Sequence, residues 1–125
     1  VLHSRLREEY EARVPHVLAA MREWAELTEQ VRTCLGSREF DRIPALLDRN
    51  FDLRCEVCAN AVSKKNRRMV ELARSVGASA KFTGSGGAII GTYEDEKMFR
   101  RLADVLRNER IDVIKPEIVT SGESR

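Results

Sequence analysis

The stretch Ala80-Lys81-Phe82-Thr83-Gly84-Ser85-Gly86-Gly87-Ala88-Ile89-Ile90 constrains the fold most. Two short apolar runs flank residues that are almost all Gly or Ser. So short a loop between strand-like runs predicts an antiparallel hairpin, with strands over Ser79–Thr83 and Ala88–Tyr93. Glycines at 84, 86 and 87 permit backbone angles that a side chain forbids, and they let a ligand approach the main chain. Successive N–H groups in such a turn form a concave anion-binding nest, and Ser85 adds a hydroxyl that donates or accepts. Two readings stand side by side: a phosphate or carboxylate cradle, and a plain glycine-rich hairpin. No Gly-Lys-Ser/Thr follows, so the loop is not a P-loop. A strand rather than a helix follows it, so it is not a dinucleotide fingerprint.

Upstream, the periodicity is helical. Val1–Arg13 reads as a short helix. Val17, Met21, Trp24, Thr28, Val31 and Leu35 step by four and three, widened by Leu18, Ala25 and Cys34, and so make one helix face. Pro15 suits that helix's first turn, and Gly36 is its expected stop. Trp24, inside the apolar stripe, is read as core. Ser37 or Asp41 is the expected cap of a second helix with Pro44 in its first turn and Phe40, Ile43, Leu46, Leu47 and Phe51 on its buried side. Lys64–Val76 is a third helix, ended by Gly77, with Met69, Val70, Ala73 and Val76 inward. Its first half carries Lys64, Lys65, Arg67 and Arg68, where acids are usual; this is either attraction for an anion or a solvated face. Beyond the hairpin, Asp95 caps a helix to about Asn108, with Met98, Phe99, Leu102, Val105 and Leu106 inward. Ile111–Val119 reads as a last strand, with Pro116 suited to an edge. Residues 120–125 form a polar tail expected to be disordered. The fold class is therefore α+β, with helices on one face of a small antiparallel sheet. A ferredoxin-like β-α-β-β-α-β layout needs one further strand before the first helix.

At 125 residues the chain has the size of one domain. Twenty-two basic residues against 20 acidic leave +2, which gives no general footprint for nucleic acid or an anionic membrane. No apolar run is long enough to span a bilayer, and no secretory pattern is present. Three cysteines, an odd number, argue against a disulfide framework and for a reducing, cytoplasmic setting. Cys55-x-x-Cys58 supplies two ligands where zinc takes four, so no metal site is expected. The pair reads as two small buried residues on a helix.

The run Gly77–Ala88 resembles the third motif of the GHMP kinases, the superfamily of galactokinase, homoserine kinase, mevalonate kinase and phosphomevalonate kinase. Together with Val1–Ser4, Arg49–Arg54 and Met69–Arg74 in this order, the chain is most similar to glucuronokinase-type members. The resemblance covers residues 1–119 and implies the C-terminal domain of a two-domain, ATP- and Mg-dependent small-molecule kinase, with the ferredoxin-like layout. It implies a sugar or sugar acid as substrate, phosphorylated on the anomeric hydroxyl, and an N-terminal kinase domain as partner. It places Thr83, Gly84, Ser85, Gly86 and Gly87 at the active-site cleft, as a backbone-amide cradle beside developing negative charge. Arg49, Asn50, Arg54 and, more weakly, Lys81 are the expected substrate contacts.

The family's nucleotide-phosphate motif, magnesium-binding acid and catalytic base belong to its N-terminal domain and do not occur here. No catalytic residue is therefore expected in this chain, most magnesium ligands lie elsewhere, and the isolated chain is expected to be inactive. The first strand of the half-domain is also expected to be missing, leaving an open sheet edge that invites a homodimer or swapped assembly. The contrasting reading is a non-catalytic module that binds a small anion at the same loop. An RNA-binding sheet is disfavoured, because only Phe82 and Tyr93 offer stacking rings on the strands.

Overall fold

The computed structural model describes residues 2–84 and 86–120, with side chains from residue 5 onward. Helix α1 (Leu2–Glu11) leads into α2 (Pro15–Ser37), then α3 (Ile43–Val57) and α4 (Lys64–Ser75). Strands β1 (Lys81–Phe82) and β2 (Ile89–Ile90) follow, and α5 (Glu96–Arg107) closes the regular structure. The sheet is antiparallel, with Lys81 opposite Ile90 and Phe82 opposite Ile89. Backbone bonds from Ser79 N to Thr92 O (3.1 Å) and from Thr83 N to Ala88 O (3.3 Å) carry the pairing to both ends of the predicted hairpin. Helices packed with a small antiparallel sheet make the α+β class that the hairpin and periodicity imply.

The core lies where α3, α4, β1 and α5 meet. Phe51, Val62, Val70, Ala73, Val76, Ala78, Ala80 and Phe82 are buried together, and Met98, Leu102 and Val105 of α5 pack against them. Phe51 and Phe82 meet edge to face, with ring centroids 5.1 Å apart, a favoured aromatic geometry. Asp48, on α3, ties that helix to α4 and to the start of β1. Its Oδ1 accepts the Ala80 N–H at 2.9 Å and lies 3.3 Å from Nε of Arg74 on α4. Arg74 also donates to Asp48 O and to Asp52 Oδ1, at 2.9 and 2.8 Å.

Helices α1, α2, α4 and α5 end alike. A residue in the left-handed region closes each helix, and the next N–H reaches back five residues, in the pairs Val14–Glu9, Glu39–Cys34, Ala78–Ala73 and Ile111–Leu106. The closing residues are Arg13, Arg38, Gly77 and Arg110. Glycine is the usual occupant; here arginine takes three of the four places.

Several expectations are corrected. Gly36 lies inside α2, and Arg38 (φ 61°) ends the helix. Val17, Ala20, Leu27 and Cys34 are the residues α2 buries, while Thr28, Ala25 and Leu35 are exposed. The buried stripe is thus rotated by about one position. Neither Ser37 nor Asp41 caps α3: a single tight turn over Phe40–Arg42 runs into it with no side-chain cap, and Phe40 is exposed. Residues 111–120 form no strand. Their apolar side chains Ile114, Ile118 and Val119 are exposed, because no neighbouring strand is paired with them. Among the described residues, two strands therefore form where three were expected. The predicted tail beyond Thr120 and the residue Val1 lie outside the described residues, and no helix among those described is long and apolar enough to cross a membrane.

Candidate functional site

The glycine loop sits over the start of α4. Gly84, Gly86 and Gly87 all have positive φ (63°, 124° and 85°), which is the freedom glycine was expected to supply. Ser85 lies outside the described residues. Arg54, near the end of α3, donates from Nη1 to Gly84 O at 2.7 Å, and its guanidinium lies 5.1 Å from the centre of the Phe82 ring. Asn66 Oδ1 accepts the Gly87 N–H at 3.2 Å. A side chain at Gly86 would collide with the Asn66 amide, its Cβ falling 2.6 Å from Nδ2.

Ser63 caps α4, its Oγ accepting the Asn66 N–H at 3.1 Å. The first turn beyond it carries no acid and holds Lys64, Lys65 and then Arg67. The partial positive charge of a helix N-terminus and these cations add to one another. The arrangement suits a phosphate or carboxylate and repels a metal ion. No cluster of three or more His, Cys, Asp or Glu suited to a metal occurs among the described residues.

The expected substrate contacts do not converge. Arg54 alone reaches the loop. Arg49 is held between Glu23 and Glu56, donating to Glu23 through Nε, and through Nη2 at 2.8 Å, and to Glu56 Oε1 through Nη1 at 2.9 Å. The Arg49 bond holds the Glu23 carboxyl below its ordinary value, and both carboxylates hold the Arg49 guanidinium above its own. Asn50 and Lys81 come together elsewhere, at a groove of about 190 Å³ between α2 and α3 floored by Leu27, Val31, Leu46 and Leu47. There the Asn50 carbonyl accepts from Trp24 Nε1 at 3.4 Å, and Lys81 Nζ donates to Phe82 O at 2.9 Å. Trp24 is half-buried within the helix pair.

Cys55 is half-buried on α3, and its Sγ lies 3.6 Å from Arg67 Nη1. Against the expectation of two buried helix residues, Cys58 is half-buried and lies just past the end of α3; both thiols are free, and burial pushes the Cys58 thiol up. Asn66 is the loop residue that the sequence reading missed. Its one available signal was position: it stands third after a serine that opens a helix, where its side chain returns toward the helix start.

A chain with this fold and this loop falls in the GHMP kinase class. Residues 29–112 match the family described as GHMP kinases C terminal, and the chain belongs to that family. It is similar to probable glucuronokinase 2 of Arabidopsis thaliana, 39% identical over 90 residues, which are 71% of this chain and 25% of that protein. It is also similar to glucuronokinase 1 of the same plant, 36% identical over 90 residues, again 71% of this chain and 25% of the relative. The match thus spans about a quarter of the length of these relatives. No solved structure matches the chain.

Proposed function

We propose that residues 1–119 form the C-terminal domain of an ATP-dependent sugar kinase acting on a sugar acid of the glucuronate type. The glycine loop would border the cleft where phosphate is transferred. The observation that carries this reading is the loop itself: positive-φ glycines fixed over a basic helix start, in a chain whose named relatives are glucuronokinases. Such a cradle stabilises charge that develops on transferring phosphoryl oxygens, because its amides and cations are already oriented when the charge forms.

Division of labour follows from the residues present. Gly84, Gly86 and the first turn of α4 would receive phosphate oxygens, while the Thr83 and Gly87 amides are bonded to Ala88 O and Asn66 Oδ1 and hold the loop in shape. Arg54, at the loop's edge, remains the best placed of the expected substrate contacts. Arg49 is committed to Glu23 and Glu56, and Asn50 and Lys81 belong to the α2–α3 groove. Magnesium would supply charge neutralisation in such a reaction, but the basic side chains around this loop do not fit a metal ion. A nucleotide-binding N-terminal domain is the partner that the reading requires, and the ferredoxin-like layout would need two strands beyond β1 and β2.

Titration of the ¹⁵N-labelled chain with inorganic phosphate tests this reading. The amide signals of Gly84, Gly86, Gly87 and Lys64–Arg67 are expected to shift together. No response, or a response centred on the α2–α3 groove, overturns it. The isolated chain is expected to show no kinase turnover; phosphoryl transfer that Gly86→Asp abolishes would refute that expectation.

A further inference from the structure

We infer that Asn66 and Arg54 are the positioning residues of the glycine loop, holding it in the positive-φ conformation that Gly84, Gly86 and Gly87 adopt. The inference rests on the phosphate-cradle reading and names the parts that set the cradle's shape. A run with several glycines pays a large entropic cost to hold one conformation. Two side chains from two different helices oppose that cost. Arg54 holds the carbonyl at the loop's start, at 2.7 Å from Gly84 O. Asn66 holds the amide at its end, at 3.2 Å from Gly87 N.

Both anchors are themselves fixed. The Arg54 guanidinium lies over Phe82, whose ring is buried against Phe51. The Asn66 backbone is fixed by the Ser63 cap, so its side chain leaves the first turn of α4 toward the loop. The Gly86 Cβ position lies 2.6 Å from Asn66 Nδ2, closer than real side-chain contacts allow. That amide can turn aside, so it is the two hydrogen bonds that shape the loop before any anion arrives. Pre-organisation of this kind strengthens binding by lowering the ordering cost.

The test compares amide spectra and phosphate affinity of the full chain with those of Asn66→Ala, Asn66→Asp and Arg54→Ala. In Asn66→Ala the Gly87 amide proton is expected to lose its hydrogen-bonded shift. Phosphate binding weakens about fivefold, the equivalent of one hydrogen bond of about 1 kcal/mol. Asn66→Asp keeps an acceptor at the same place, so the Gly87 shift stays while added negative charge still weakens phosphate. A merely structural role would not separate those two readouts. Arg54→Ala is expected to move the Gly84 and Gly86 signals and leave α4 unchanged. An unmoved Gly87 signal in Asn66→Ala, or equal damage to it by Asp and Ala, overturns the inference. Should the wild-type chain ignore phosphate, the cradle reading fails, while the Gly87 shifts still decide the positioning role.

Discussion

Replacing Gly91 by alanine is expected to break the hairpin that carries the loop, whereas the same replacement at Gly36 is expected to stabilise the chain. At Gly91 an added Cβ falls 1.8 Å from Ser79 O, 2.8 Å from Ser79 C and 3.3 Å from the Ala80 Cα. All three atoms are backbone, so no rotamer change relieves the clash, and the strands must part by more than an ångström. The contacts at risk are known. Ser79 N donates to Thr92 O at 3.1 Å, Thr92 N donates to Ser79 Oγ at 3.0 Å, and the two hydroxyls lie 2.6 Å apart. At about 1 kcal/mol net per bond, their loss costs about 3 kcal/mol. In a chain of this size that lowers the melting midpoint by about 10 °C. Ser79 is buried, so its groups find no water in exchange. Gly36, by contrast, lies inside α2, and no atom stands within 4 Å of its Cβ position. Alanine there gains roughly 0.5–1 kcal/mol from helix propensity. Urea unfolding followed by circular dichroism measures both variants. Gly91→Ala within about 0.5 kcal/mol of the parent, the range typical of surface changes, would refute the close approach of the strands.

Other consequences follow from the same geometry. Arg38→Gly and Arg110→Gly relieve left-handed strain of about 1–2 kcal/mol each against glycine's entropic cost of roughly 0.5–1 kcal/mol. Each is expected to raise the unfolding free energy, and a fall in either would contradict the closing geometry. Arg74→Ala removes the charged bonds to Asp48 and Asp52 and is expected to cost about 2 kcal/mol; a neutral result in urea unfolding would show that the core holds β1 without them. Glu23 has a folded pKa below its ordinary 4.5. Its stabilising contribution is therefore complete above that value and is lost as pH falls through the lower folded one. The melting midpoint of Glu23→Gln is accordingly expected to fall less steeply on acidification than the parent's, and parallel curves would contradict the link. Exposed Ile90, Ile114 and Ile118 are expected to drive self-association, so a monomer in sedimentation at high concentration would count against that assembly.

The residues that announce local geometry were legible in the sequence. Positive-φ glycines, the Asp95 cap and stepped apolar residues leave marks that need no tertiary context, whereas the Ser37 or Asp41 cap did not form. The hairpin, α4 with its Gly77 end and α5 with its Asp95 cap followed from such marks. What failed depended on neighbours. A glycine is the favoured helix stop, but Arg38 stops α2, because the chain must turn two residues beyond Gly36 to lay α3 along α2. The apolar pattern of Ile111–Val119 suits a strand, yet pairing needs a partner, and none stands beside it among the described residues. The basic side chains of α3 looked alike in sequence. Only packing sends Arg54 to the loop and Arg49 to Glu23. Asn66 left almost no mark, since its role depends on a loop twenty residues onward.

The most direct measurement of the proposed function is a domain exchange. The matched quarter of the Arabidopsis glucuronokinase 1 chain is replaced by the corresponding residues of this one, and ATP-dependent phosphorylation of glucuronate is assayed. The exchanged enzyme is expected to retain turnover and to lose it on Gly86→Asp in the loop. A folded, soluble exchange that binds ATP but phosphorylates nothing would contradict the assignment of this chain as the C-terminal half of such a kinase.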